Sequence, residues 1–163
     1  MLNFQWRQKY LKQNLTCTVC VSRHGCEQVQ FLDNGGQKHQ TYINYFENLV
    51  EKMQSKYPNQ TLVFQHDNLL AHKNADIMKI VQGDRLEMIF SPSHTPEFSS
   101  VENVFADLKR QLSSYQYINV KETADKILKI LFNYKSLDIK VFFKQVFRNI
   151  LDFWDDIKVR KCL

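Results

Sequence analysis

The sequence predicts a mixed α/β fold, and three observations carry that prediction. Leu15 to Arg23 and Cys26 to Leu32 are short β-rich runs either side of His24-Gly25, the pattern of an antiparallel hairpin. From Thr61 onward, apolar runs of strand length alternate with helical spacing, which implies a parallel element covered by helices. The last fifty or so residues carry only the three- and four-residue apolar spacing of helices.

Composition bounds the answer. The chain has 163 residues, 44% hydrophobic and 24% charged, enough to bury one core but not two ordinary ones. A single domain spanning residues 1–163 is expected, with a core at 15–113 and C-terminal helices at 120–160. A formal charge of +5 and a pI near 9.0 favour an anionic partner such as nucleic acid without requiring one. Four glycines and three prolines exclude a collagen-like or low-complexity chain. No stretch approaches the roughly 18 apolar residues of a membrane span, and Met1 to Tyr10 lacks the apolar block of a secretory signal. The expectation is a protein that is not secreted and has no membrane partner, nuclear in a eukaryote and otherwise cytoplasmic.

The elements follow in order. The hairpin run LTCTVCVSR is β-branched, and residues three apart in a strand point to opposite faces. Cys17 and Cys20 are therefore expected as reduced cysteines packed in and around a sheet, not as a zinc pair with Cys26 and His24. After Asp33-Asn34-Gly35-Gly36, Tyr42, Ile43, Phe46, Leu49, Val50 and Met53 form the stripe of an amphipathic helix that must stop before Pro58. Thr61 to Gln65 reads as a buried strand, followed by a polar His-Asp-Asn and a helix from about Lys73 to Gln82 with Gly83 as its C-terminal cap. Arg85 to Phe90 makes another strand, the two prolines of SPSHTPEFSS keep it irregular, and Val101 to Leu112 resumes helical spacing. Ala124, Ile127, Leu128 and Leu131 form one later stripe; Phe143, Phe147, Ile150 and Trp154 form a second, both read as packing faces.

Two carboxylates occupy positions where chemistry is done. Asp67 lies just past an apolar strand, where α/β folds expose functional groups, although an Asp-Asn pair there also serves as a turn former or helix cap. Glu102 opens a helix, a place the helix dipole favours for any carboxylate. Their joint context says more than either alone. TLVFQHDNLLAH is followed by a helix and then by RLEMIFSPSHTPEFSSVENVFADLK, with thirty-four residues between Asp67 and Glu102.

In these phrases the chain resembles the catalytic domain of mariner-superfamily DDE transposases. In that family a strand-end Asp is followed by Asn and, shortly after, His; the last carboxylate sits in a proline-rich phrase ending Ile-Glu-Asn, with a Lys about two turns on. The matching residues here are Asp67, Asn68 and His72, then Pro92, Pro96, Glu97, Phe98, Val101, Glu102, Asn103, Phe105 and Lys109. The resemblance covers roughly residues 15–148.

That resemblance implies a ribonuclease H-like mixed sheet flanked by helices, and metal-dependent DNA strand cleavage and transfer through two Mg²⁺ or Mn²⁺ ions held by carboxylates. Asp67 and Glu102 would be catalytic metal ligands, with Asn68, His72 and Asn103 in support. Lys109 and Arg110 would contact the DNA backbone non-specifically. The family also implies a homodimer.

The family's first catalytic Asp belongs to a strand upstream of the hairpin, and Met1 to Asn14 contains neither Asp nor Glu. Asp33 follows the hairpin's second strand and does not replace it. The first, central strand is accordingly expected to be missing or reduced, the chain to be an N-terminally truncated domain, the two-ion site incomplete and activity impaired. The helix-turn-helix part of full-length relatives is likewise not expected here. The alternative reading is a non-catalytic nucleic-acid-binding or protein-interaction remnant.

Overall fold

The computed structural model describes residues 2–7, 14–33, 38–67, 74–92, 95–114, 119–134 and 136–161; for 2–7, 14, 33, 136–138 and 153–161 only the backbone is considered. These residues divide into two compact units, one of Met1–Val19 with Gln28–Ser93 and one of Cys20–Glu27 with His94–Leu163. Among the described residues, no helix is long and apolar enough to cross a membrane.

A strand β1 (Leu2–Arg7), a strand β2 (Asn14–Ser22) and a strand β3 (Gly25–Asp33) form a three-stranded sheet in the order β1-β2-β3. The loss of a first strand is not confirmed: β1 pairs antiparallel with β2 along its whole length, from Leu2 opposite Val19 to Arg7 opposite Asn14. Leu15, Thr16, Cys17, Thr18 and Val19 of the middle strand β2 are all buried, without the alternation of a strand that has one face in water, so both of its faces are covered along this run. Cys17 lies in that run, Cys20 and Cys26 are half-buried, and none of the three forms a disulfide.

The hairpin turns one residue earlier than the sequence suggested. Arg23 and His24 make the turn, and Gly25 opens β3 at φ +140°, a backbone region that side chains rarely adopt. The Ser22 hydroxyl accepts from the His24 amide (3.0 Å) and donates to Glu27 Oε1 (2.6 Å), so the buried Glu27 carboxylate is hydrogen-bonded at that oxygen.

Helix α1 (His39–Lys56) buries Tyr42, Ile43, Tyr45, Phe46, Leu49, Val50 and Met53, so the expected stripe is its inner face, widened by Tyr45. The Tyr57 amide still bonds the Met53 carbonyl (2.9 Å), and Pro58 ends the helix there.

Strands β4 (Leu62–His66) and β5 (Leu86–Phe90) pair in parallel, with Leu62 opposite Leu86 and His66 opposite Phe90. The predicted antiparallel and parallel elements thus both exist, as two small sheets. Between β4 and β5 lies a short helix α2 (Ala75–Ile80), capped by Asn74, whose side chain accepts from the Asp76 amide, and anchored by the fully buried Ile77. It ends at Val81, where Gln82 closes back on Lys79; Gly83 is therefore not its cap, and its carbonyl instead accepts from Leu86 in the turn into β5.

The proline-rich segment is less irregular than expected, since Pro96–Phe98 forms one 3-10 turn with Phe98 buried. Helix α3 (Ser100–Leu112) follows and buries Val101, Val104, Phe105, Leu108 and Leu112. Helix α4 (Val120–Asn133) starts at Asn119, whose side chain accepts from the Glu122 amide (2.8 Å). It buries Thr123, Ile127, Ile130 and Leu131, while Ala124 and Leu128 of the expected stripe are half-buried.

Helix α5 (Ser136–Lys161) corrects the second stripe. Among its described side chains Ile139 and Val146 are the buried ones, Phe143 and Ile150 are half-buried, and Phe147 is 62% exposed. The face that packs on α3 is rotated from the aromatic one, because Phe147 stands one residue, about 100°, round from Val146. Trp154 lies outside the described side chains.

A polar clasp joins α3 to the end of α4. The Tyr134 hydroxyl donates to Asp107 Oδ2 (2.5 Å), Gln111 donates to the same oxygen (2.8 Å), and the Arg110 guanidinium pairs with Oδ1. Burial pushes the Asp107 carboxyl up, but the hydrogen bonds from Tyr134, Arg110 and Gln111 and the charge of Arg110 outweigh it and hold it below the ordinary value. A carboxyl lowered by folding stabilises above its unfolded value, and that contribution is lost as acid titrates it through the lower folded value. Tyr134→Phe should therefore cost about 1–2 kcal/mol at neutral pH. In urea unfolding across pH, the gap between parent and variant should close as pH falls below the unfolded Asp value of about 3.9. By contrast Leu108→Ala, which empties a fully buried site, should cost about 2–5 kcal/mol at any pH in the same measurement.

Candidate active site

Asp67 is the first residue beyond β4, which runs one residue further than expected and ends at His66. Parallel strands present their carboxyl ends on one edge, so Asp67 and Ser91, the residues just past β4 and β5, emerge side by side. The Ser91 amide donates to the His66 carbonyl (2.8 Å), and the Gln65 side chain donates to Ser91 Oγ (2.9 Å). Asp67 Oδ1 is shielded from solvent.

The side chain ahead of Asp67 points into the core. In β4 the inward positions are Phe64 and His66, which alternate with the 52% exposed Val63. The His66 ring packs edge-on to Phe46 with centroids 5.2 Å apart, and its Nδ1 shares a 2.8 Å hydrogen bond with Tyr42 Oη. Sequence reasoning placed Tyr42 in an apolar stripe and treated His66 as part of a polar exit from the strand. The signal it passed over was period-2 alternation, which carries the inward set from Phe64 to His66.

Glu102 lies in the first turn of α3, half-buried, and its amide bonds the Ser99 carbonyl (3.2 Å). The dipole at this end stabilises the carboxylate. With Val101, Val104, Phe105, Leu108 and Leu112 turned inward, Glu102, Ala106 and Lys109 share a flank of the helix, and Ala106 and Lys109 are exposed. Asn103 is half-buried on the same helix. Arg110 is exposed, but its guanidinium engages Asp107. Asn68 and His72 lie outside the described residues. Asp67 belongs to the first unit and Glu102 to the second, and each is placed within its own.

A cleft of about 530 Å³ in the second unit is lined by Asp107, Arg110, Lys126, Lys129, Tyr134 and Phe142, among others. Its one carboxylate, that of Asp107, is committed to the α3–α4 clasp.

A family model for the DDE superfamily endonuclease matches residues 9–124, a span that takes in both carboxylates. The chain belongs to the DDE superfamily endonucleases. Among solved structures, the fold of this DDE domain is similar to that of the Mos1 transposase catalytic domain with raltegravir and Mg: TM-score 0.77, 12% identity, covering 90% of this chain and 74% of that one. It is likewise similar to the catalytic domain of Mos1 mariner transposase (TM-score 0.75, 14% identity, 90% and 74% covered). A third match is the Mos1 mariner paired-end complex with Mn (TM-score 0.75, 15% identity), of which 88% of this chain covers 44%. At such identities the likeness is one of fold, a ribonuclease H-like mixed α/β architecture. Comparison with curated proteins finds no match.

A divalent cation of the kind DDE chemistry uses asks for hard oxygen donors, and Asp67 and Glu102 fit it chemically. Among the described residues, no group of three His, Cys, Asp or Glu side chains is placed to hold a metal ion.

The bond between Gln65 and Ser91 gives a local test. Ser91→Ala should cost about 1 kcal/mol in thermal unfolding and leave the far-UV spectrum unchanged, since Ser91 Oγ serves Gln65 and its backbone amide continues to hold His66.

Proposed function

We propose that this DDE domain acts on DNA phosphodiester bonds, as the cleaving and joining part of a transposase, with Mg²⁺ or Mn²⁺ as its cofactor. The observation that carries the reading is the DDE family match over a motif in which Asp67 directly follows a parallel strand and Glu102 opens a helix. Mos1 structures bearing Mg, Mn, a left transposon end and a strand transfer complex support the same chemistry by likeness of fold.

In this reading Asp67 and Glu102 would each offer carboxylate oxygens to a divalent cation, whose chemistry would be to activate an attacking oxygen and stabilise a leaving one. A strand end and a first helical turn suit that work, because both fix the Cα that bears the carboxylate. Asn68, His72 and Asn103 support the two ligands. Lys109, on the flank of α3 that bears Glu102, lies along the DNA backbone, and Arg110 joins it at the expense of its pairing with Asp107. Two carboxylates are one fewer than the family's three, so cleavage by this chain is expected to be slow.

Supercoiled plasmid nicking tests the proposal. Parent protein should nick in Mg²⁺ or Mn²⁺ and not in EDTA, and Asp67→Asn and Glu102→Gln should each lower the rate at least tenfold. Metal-dependent nicking that survives both substitutions overturns the assignment. DNA binding without any nicking, with affinity falling linearly in log salt and unchanged in both variants, would instead favour the non-catalytic binding reading, to which the net charge of +5 lends support.

A further inference from the structure

We propose that Tyr42 and His66 form a positioning pair that fixes the carboxylate of Asp67 for the divalent cation. The inference rests on the reading of Asp67 as a ligand and extends it to residues that touch neither metal nor DNA.

Both members are buried, Tyr42 at 3% and His66 at 1% exposure, in a layer otherwise filled by Phe46 and Phe64. An imidazole at such a position is costly unless hydrogen-bonded, and a Leu or Phe would fill the space with no polar atom to satisfy. The 2.8 Å bond between Tyr42 Oη and His66 Nδ1 fixes the ring about its Cα–Cβ and Cβ–Cγ axes. Phe46, 5.2 Å away and nearly perpendicular at 85°, and Phe90, tilted at 6.1 Å, close on the ring from other sides. The main chain of the same residue is held independently, by the Ser91 amide on its carbonyl. That carbonyl belongs to the peptide that leads into Asp67.

Residue 66 is thus clamped through its side chain to α1 and through its backbone to the end of β5, and Asp67 is the next residue out. A ligand one peptide bond from a doubly held residue has its Cα fixed, and only its own side-chain torsions remain free. Tyr42 stands on the buried face of an 18-residue helix whose other inward residues anchor it, so the clamp is tied to a rigid body.

The full chain is tested with Mn²⁺ as the probe, by titration calorimetry, beside backbone ¹⁵N relaxation of the metal-free protein. Tyr42→Phe, which deletes one oxygen, should retain helix content, weaken Mn²⁺ binding about tenfold and raise mobility at the Asp67 amide. His66→Asn, which keeps a polar atom near the position of Nδ1, should lose less Mn²⁺ affinity than His66→Leu. Unchanged Mn²⁺ affinity and unchanged Asp67 mobility in Tyr42→Phe, even with lowered stability, would overturn the proposal and leave His66 a packed core residue. Asp67→Asn separates the two ideas. If that substitution does not alter Mn²⁺ affinity, Asp67 is not a ligand; the relaxation of Tyr42→Phe then decides by itself whether the pair orders the strand end.

Discussion

The packing of α1 against the inner face of β4 is the constraint on which the first unit depends. Phe46, with no exposed surface, meets Phe64 edge-on at 5.2 Å and His66 at the same distance, and lies parallel to Tyr42. Burial of such aromatic surface is worth about 1.5–3 kcal/mol per side chain, and the edge-to-face geometry adds to it. This contact orients the strand, and the strand's end carries Asp67. Stability and placement of the candidate ligand therefore share one set of atoms.

The second unit meets the same problem with helices. Val104, Leu108 and Leu112 of α3, Ile127 and Leu131 of α4, and Ile139 and Val146 of α5 bury their side chains, and the first turn of α3 leaves Glu102 on a flank of that buried face. The carboxylates near this core divide by role according to their partners. Asp107 is enclosed by Tyr134, Gln111 and Arg110 and has its hydrogen-bonding capacity used in holding α3 to α4. Glu102, five residues earlier on another side of the helix, stands where the dipole favours charge.

Much of this was legible in the sequence, and the failures are instructive. The hairpin, α1 and the parallel pair β4–β5 were readable because β-branched runs, turn residues and apolar spacing are local signals. The stripe of α5 was not. Its apolar residues occur around most of the helix, with Val141 and Leu151 outside the aromatic stripe, so periodicity offers several faces, and packing against α3 selects the one with Ile139 and Val146. Gly83 resembles a cap because Gly commonly ends helices, but the helix closes two residues earlier, at Val81. His66 was missed because a polar residue before Asp-Asn looks like the start of a loop.

The sequence by itself determined the element types, the membership in a DDE family and the identity of Asp67 and Glu102 as carboxylates in a recognisable phrase. Those features depend on residues close together in the chain, where spacing encodes them directly. Tertiary structure alone decided that His66 is a buried polar residue hydrogen-bonded to Tyr42, twenty-four positions away, and that Asp107 is clasped by Tyr134, twenty-seven positions away. A side chain's partner across such distances is set by which faces oppose one another after folding, and no local periodicity specifies that.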